Sequence, residues 1–277
     1  ADHMQLPAAS ALTVTGAAAL VDHATFQTDP AAALSIADTL PRLLALGGIT
    51  LGHNNGILQA TAIGLSADST ATVAQLTALR NLPQYNLGGH PFSTNGFDLV
   101  LQDTGRRIAN FTTDSVVTPT GYVMTGDTTV TAAQANTLAA RTVDLGDNLV
   151  TISDTAAHLL DPSNQAGIAI ADTLILSANA TVSAANATTL LGNALFNAAG
   201  HQISVQDTAS ALLGLSTDTK LMATILQLSA DATVSVSDLK ALAGLGIKFS
   251  VNGHSITVAD TAAHLATLHD LELAWAS

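Results

Sequence analysis

The segment Ile256-Thr-Val-Ala-Asp-Thr-Ala-Ala-His-Leu265 contains a core that the chain repeats five times. The other copies are Leu34-Ser-Ile-Ala-Asp-Thr, Leu99-Val-Leu-Gln-Asp-Thr, Val150-Thr-Ile-Ser-Asp-Thr and Ile203-Ser-Val-Gln-Asp-Thr. Counted from the aspartates Asp38, Asp103, Asp154, Asp207 and Asp260, the spacings are 65, 51, 53 and 53 residues. Positions −4 and −2 are always apolar. Positions −3 and −1 are polar or small except Val100. Such alternation describes a short strand with one buried face. Thr follows every Asp, and an apolar residue stands at +5: Leu43, Ile108, Leu159, Leu212 or Leu265. A strand therefore ends, Asp-Thr follows, and a helix turns an apolar side chain inward.

Asp is a favoured N-cap, because its carboxylate accepts free N–H groups of the first turn and opposes the helix dipole. Asp38, Asp103, Asp154, Asp207 and Asp260 are accordingly expected to cap the helices that follow them. The alternative is a column of cation ligands. A stack of lone carboxylates suits this poorly, since calcium takes about 6–8 oxygens.

A second signature alternates with the first. It reads Asp68-Ser-Thr-Ala-Thr-Val-Ala-Gln75, Asp127-Thr-Thr-Val-Thr-Ala-Ala-Gln134, Asn179-Ala-Thr-Val-Ser-Ala-Ala-Asn186 and Asp231-Ala-Thr-Val-Ser-Val-Ser-Asp238, with a worn version near Leu12–Gly16. Thr72, Thr131, Ser183 and Ser235 form a hydroxyl column, with Gln, Asn or Asp three residues later. That is capping-box spacing, so these four are expected to be helix caps. The two signatures together predict an α/β repeat solenoid of about five strand–helix–strand–helix units. Its strands are parallel because each returns through a helix. The expected units are 10–57, 58–124, 125–177, 178–230 and 231–277, forming one solenoid, with 1–9 a cloning remnant or linker.

The 277 residues are 48% hydrophobic but only 3% aromatic, so the core is built from Ala, Val, Ile and Leu. Charged residues make up 10%, and the net charge is −13. Eight scattered cations and an acidic balance argue against nucleic acid and anionic membranes as partners. There is no Cys, which removes disulfides, thiolate nucleophiles and Cys-bound zinc. No run of about 18 apolar residues predicts a membrane span, and no basic start with an apolar stretch predicts a leader.

The second unit is longer than the rest, with extra residues in 80–96 and 110–122. Tyr85, Phe92, Phe97, Phe111 and Tyr122, five of the nine aromatics, fall in this region. With His90, Arg106 and Arg107 they form the candidate ligand-binding set. The competing reading is that the aromatics fill a gap where the repeat is irregular. Histidines also recur by position: His201 and His254 at −6, His158 and His264 at +4. Each column holds two His in five copies, too few converging groups for a metal site, so polar turn positions are expected. No catalytic constellation is present: no Gly-x-Ser-x-Gly, no phosphate-binding loop and no zincin spacing.

The pattern Ile-Thr-Val-x-Asp-Thr-Ala-Ala-His-Leu, alternating with Thr-Val-Ser-Ala-Ala-Asn, resembles the Asp-Thr-Ala-Ala-x-Leu repeats of very large bacterial surface or type I-secreted proteins. The likeness covers all units and is best from Asp127 to Leu265. It implies an extracellular or cell-surface setting and a spacer or adhesion role, and it carries no catalytic residues. The Gly-Gly-x-Gly-x-Asp calcium repeat often found beside such units is absent, so calcium binding does not transfer. The expected function is a non-enzymatic repeat segment, without cofactor or metal. Its expected partners are neighbouring repeats, a glycan or surface protein, or another copy end to end. Two alternatives stay open: a glycan- or protein-binding module using the second unit's aromatics, and an accessory domain of a secreted polysaccharide-active enzyme.

Overall fold

In the computed structural model the described residues are 4–6, 9–19, 26–28, 34–46, 60–82, 92–113, 117–244 and 248–268. They form a mixed α/β structure of parallel sheets and short helices. The chain divides into two compact units, Ala1–Thr128 with Ala140–Asn148, and Thr129–Ala139 with Leu149–Ser277.

In the first unit, strands Ser10–Leu12, Leu34–Asp38, Ala62–Leu65 and Phe92–Ser93 lie side by side in that order. Every pairing is parallel. A second sheet orders Ser69–Ala71, Leu99–Asp103 and Gly121–Met124, and Val123 bridges onward to Asp144. The second unit repeats the scheme. Val150–Asp154, Thr173–Leu176 and Phe196–Asn197 are neighbours, and so are Ala180–Val182, Ile203–Asp207, Ile225–Leu228 and Lys248–Ser250. Ala232–Val234 pairs with Ile256–Val258.

The α/β class with parallel strands matches the sequence. The composition of each half repeat does not. In many half repeats two strands, not one, precede the helix. Thr173–Leu176 and Ala180–Val182 both come before helix Ala184–Leu191, and Phe196–Asn197 and Ile203–Asp207 both come before helix Ala209–Leu213. Tight turns join successive strands, which belong to different sheets. Asn95-Gly96, Ala199-Gly200 and Asn252-Gly253 each hold two successive positive φ values, between 52° and 86°. Asn and Gly tolerate that backbone best. Residues 4–6, read as part of a remnant or linker, also differ: Met4–Leu6 is a strand paired in parallel with Phe26–Thr28.

The repeat Asp strand explains the core. Its −4, −2 and 0 residues share one face, as period-2 geometry requires. Leu34, Ile36, Leu99, Leu101, Val150, Ile152, Ile203, Val205 and Ile256 are buried there. From the helix side come Leu43, Ile108, Leu159 and Leu212, also buried. Because Asp lies on the same inward face, Asp38, Asp103 and Asp154 are buried too. A carboxylate in that position must be paired or hydrogen-bonded, or it would cost several kcal/mol.

Candidate functional site: the repeated aspartate junction

Each repeat Asp is bonded twice to main chain. One oxygen, Oδ1, accepts the N–H of the next residue: Thr39, Thr104, Thr155 and Thr208 at 2.8 Å, and Thr261 at 2.7 Å. The other, Oδ2, reaches back 22 to 30 residues. It accepts the N–H of Val14, Val73, Ala132, Ala184 and Val236 at 2.9 to 3.0 Å. Those five are the first residues of the preceding helices. The expected role is therefore corrected. The aspartates do not cap the helices that follow them; they cap the helices before them.

The cap of the following helix is the Thr. Thr39, Thr104, Thr155, Thr208 and Thr261 hold extended backbone at the N-cap. Thr155, Thr208 and Thr261 accept from the N–H groups of His158, Ala211 and His264. Thr39 and Thr104 make no side-chain cap bond. Behind Thr104 the Arg106 N–H goes to the Thr128 hydroxyl at 3.2 Å.

The hydroxyl column sits at the caps of the other helices. Thr72 and Gln75 form a reciprocal capping box, and Thr131 with Gln134 makes the same pair of bonds. Ser183 accepts from the Asn186 N–H, and Ser235 from the Asp238 N–H. The worn copy completes the set, with Thr13 accepting from the Gly16 N–H. The two signatures thus interlock. At each such helix the hydroxyl takes the third N–H, and an Asp from the next strand takes the first. Helix starts leave four N–H groups without partners inside the helix, and here two of them are met from the repeat itself.

A third column was read only in part in the sequence, through His158 and His264. Four residues after the Asp stand Arg42, Arg107, His158, Ala211 and His264. The Arg42 and Arg107 guanidiniums lie 3.8 and 3.5 Å from Oδ1 of their Asp. His158 and His264 place Nδ1 at 2.7 Å from Oδ1 of Asp154 and Asp260. The two histidines are helix residues, not turn residues, and each reaches back from its helix to the Asp just before the N-cap Thr. The pattern was legible only by grouping Arg with His.

Electrostatics follow from these bonds. Burial pushes the Asp154 carboxyl up, but His158 and the N–H groups of Ala132 and Thr155 outweigh it and hold the group below the usual carboxylate range. Asp260 is also lowered, chiefly by its bond with His264 and then by the N–H groups of Thr261 and Val236. A lesser column makes similar main-chain bonds: Asp68, Asn179 and Asp231 accept the N–H groups of Asp98, Gln202 and Ser255 at 2.8 to 2.9 Å. Among the described residues, no three His, Asp or Glu side chains converge as a metal set.

The candidate ligand-binding residues are dispersed in role. Tyr85 and His90 lie outside the described residues. Phe92 is not part of an insertion. It occupies the same strand position as Phe196 and Phe249, paired with Ile63 as those pair with Leu174 and Leu226. Phe97 stands at −6, where the other copies have His201 and His254, and all three are half-buried. Phe111 is 5% exposed and belongs to the core. Arg107 points at Asp103, while the Arg106 side chain is exposed. Tyr122 is half-buried beneath Arg141, whose guanidinium lies 5.4 Å from the ring centre. The same guanidinium donates to the carbonyls of Ile108 and Phe111, closing the end of helix Gly105–Asn110. Arg141 has no place in the sequence reading, and nothing in its local pattern marks it.

No helix among the described residues is long and apolar enough to cross a membrane. No protein family model matches the sequence, and neither a curated protein nor a solved structure is similar to it.

Proposed function

We propose that this chain is a non-enzymatic repeat segment of a large bacterial cell-surface or secreted protein, serving as a structural spacer. In this reading the coils of both units continue as one solenoid of five repeats. The observation that carries it is the aspartate junction. In five copies the repeat's own carboxylate is committed to a backbone N–H of the coil before it, so the recurring polar chemistry is spent on joining coils. Repeat arrays gain stability mainly from such nearest-neighbour terms. The surface location rests on the resemblance of the Asp-Thr-Ala-Ala repeats.

A spacer has a length that scales with repeat number. Duplicating residues 178–230 adds two coils, and two strand spacings are about 10 Å. Small-angle scattering on the lengthened chain is expected to show the maximum dimension grow by about that amount, with cooperative unfolding retained. A lengthened chain of unchanged dimension, or one that no longer folds, would sink the spacer reading.

A further inference from the structure

The aspartate strand has two edges, and in four copies both are paired. The forward edge receives the first strand of the next coil. Carbonyls of Leu34 and Asp38 accept from Thr61 and Ser66, those of Leu99 and Asp103 from Thr120 and Thr125, those of Val150 and Asp154 from Asp172 and Ser177, and those of Ile203 and Asp207 from Thr224 and Ser229. The −4 N–H is met by a side chain in three of them. Thr120 Oγ1, Asp172 Oδ2 and Thr224 Oγ1 accept from Leu99, Val150 and Ile203 at 2.8 to 3.0 Å. The incoming strand therefore has a sequence rule: polar, any, apolar, any, apolar or small, then Ser or Thr. Asp172-Thr-Leu-Ile-Leu-Ser177 and Thr224-Ile-Leu-Gln-Leu-Ser229 both obey it.

The fifth copy is different. Ile256–Val258 pairs with Ala232–Val234 on its rear edge, and no other described strand lies beside it. Helix Ala262–Leu265 has no buried residue, and Leu265 is 38% exposed. Its counterparts Leu43, Ile108, Leu159 and Leu212 are at most 4% exposed. Among the described residues, both the ladder and the apolar cover are thus open on the forward side.

We infer that the forward edge of Ile256–Val258 is an acceptor for one parallel strand, supplied by a further coil of the same repeat class. Its register is fixed, with the last apolar residue opposite Asp260, as Leu176 stands opposite Asp154 and Leu228 opposite Asp207. The occupant is not this chain's own first strand. Asp2-His-Met-Gln-Leu6 matches the first five positions of the rule, but the sixth is Pro7, where the other copies have Ser66, Thr125, Ser177 and Ser229 donating an N–H. Proline has no N–H, and at strand edges it blocks pairing. The inference rests on the repeat-segment reading and adds a direction: the array extends at the forward edge of Ile256–Val258.

The test is amide hydrogen exchange on the full chain, alone and with a peptide copying residues 223–230. The expected result is fast exchange at Ile256, Val258 and Asp260 in the free chain, slowed about tenfold by millimolar peptide. A peptide with Pro replacing the copy of Ser229 is expected to protect less. Slow exchange at those three amides in the free chain overturns the inference, because the edge is then already covered. So does a molecular mass that rises with concentration in light scattering, which would mean that copies pair despite Pro7. Absence of protection at saturating peptide overturns it as well. None of these results touches the length test of the spacer reading, so the two fail separately.

Discussion

The junctions at Asp154 and Asp260 have the same bonds and different surroundings. Each carboxylate accepts the next Thr N–H, the first N–H of the preceding helix and a histidine Nδ1, with the histidine at 2.7 Å in both. Yet Asp154 is buried and Asp260 is half-exposed, and Leu159 is 4% exposed against 38% for Leu265. The bonds are set by sequence within the repeat and the coil before it. The burial is set by the coil after it. The local motif forms wherever its residues are present, but its energetic weight depends on whether a next coil covers it.

The largest expected contrast lies in the apolar residues. Leu159→Ala removes a buried side chain and is expected to cost about 2–5 kcal/mol. Leu265→Ala removes a partly exposed one and is expected to cost less than about 1 kcal/mol. Urea unfolding curves for both variants read this directly. Equal losses would break the claim that cover by the following coil decides the energy.

The carboxylates come next. Asp154→Ala leaves the N–H groups of Ala132 and Thr155 without their acceptor, and bonds to charged groups contribute about 1.5–3 kcal/mol each at most. A loss of about 3 kcal/mol is expected, with a smaller loss for Asp260→Ala. The same junction predicts a pH dependence. The folded pKa of Asp154 lies below its ordinary value, so the unfolded chain binds the extra proton first as pH falls. Its contribution is full above the usual carboxylate range, about pH 4, and is lost as pH drops through the lower folded value. Unfolding midpoints between pH 7 and 2 should fall more steeply for the natural chain than for Asp154→Asn. Parallel curves would remove Asp154 from the acid response.

What the sequence made legible, and what it did not, follows the same division. The alternation in Val150–Asp154, the hydroxyl column and the parallel α/β class depend on residues within one element, and local reasoning reaches them. The target of Asp154 Oδ2 is Ala132, 22 residues away, and an Asp beside a helix start reads as that helix's own cap. First strands were missed although Ala62–Leu65, Gly121–Met124, Thr173–Leu176 and Ile225–Leu228 run four residues, because no Asp-Thr or hydroxyl signature marks them. Phe92–Ser93 and Phe196–Asn197 have two residues each, too few for a period to register, although Asn95-Gly96 and Asn252-Gly253 carried turn signals. The aromatic set of the second unit looked like one patch because its members are close in sequence. Phe92 is a strand residue and Phe111 is core, so proximity along the chain was no guide to a shared surface.

The smallest expected effect tests the Arg and His column. At Asp207 the +4 residue is Ala211, so this junction alone among the five lacks the nitrogen-bearing side chain that Arg42, Arg107, His158 and His264 supply. Asp207 keeps its two main-chain bonds, at 2.8 Å to Thr208 and 2.9 Å to Ala184. The backbone frame for a partner is present, since Ala211 lies in helix Ala209–Leu213 as Arg107 lies in Gly105–Asn110. Ala211→Arg should therefore recover the geometry of Arg107 over Asp103. An exposed ion pair between this Asp and an arginine in the first turn of the helix is worth about 0.2–1 kcal/mol in low salt. The gain should shrink with added salt, because the guanidinium at this position is exposed, as Arg107 is at 67% of its side chain. Thermal unfolding in low and high salt, with Ala211→Gln as the uncharged control, separates charge from side-chain packing. A stabilisation shared by Gln and indifferent to salt would show that the column contributes through its aliphatic stems, and that the pairing at Asp154 and Asp260 matters for the hydrogen bond rather than for charge.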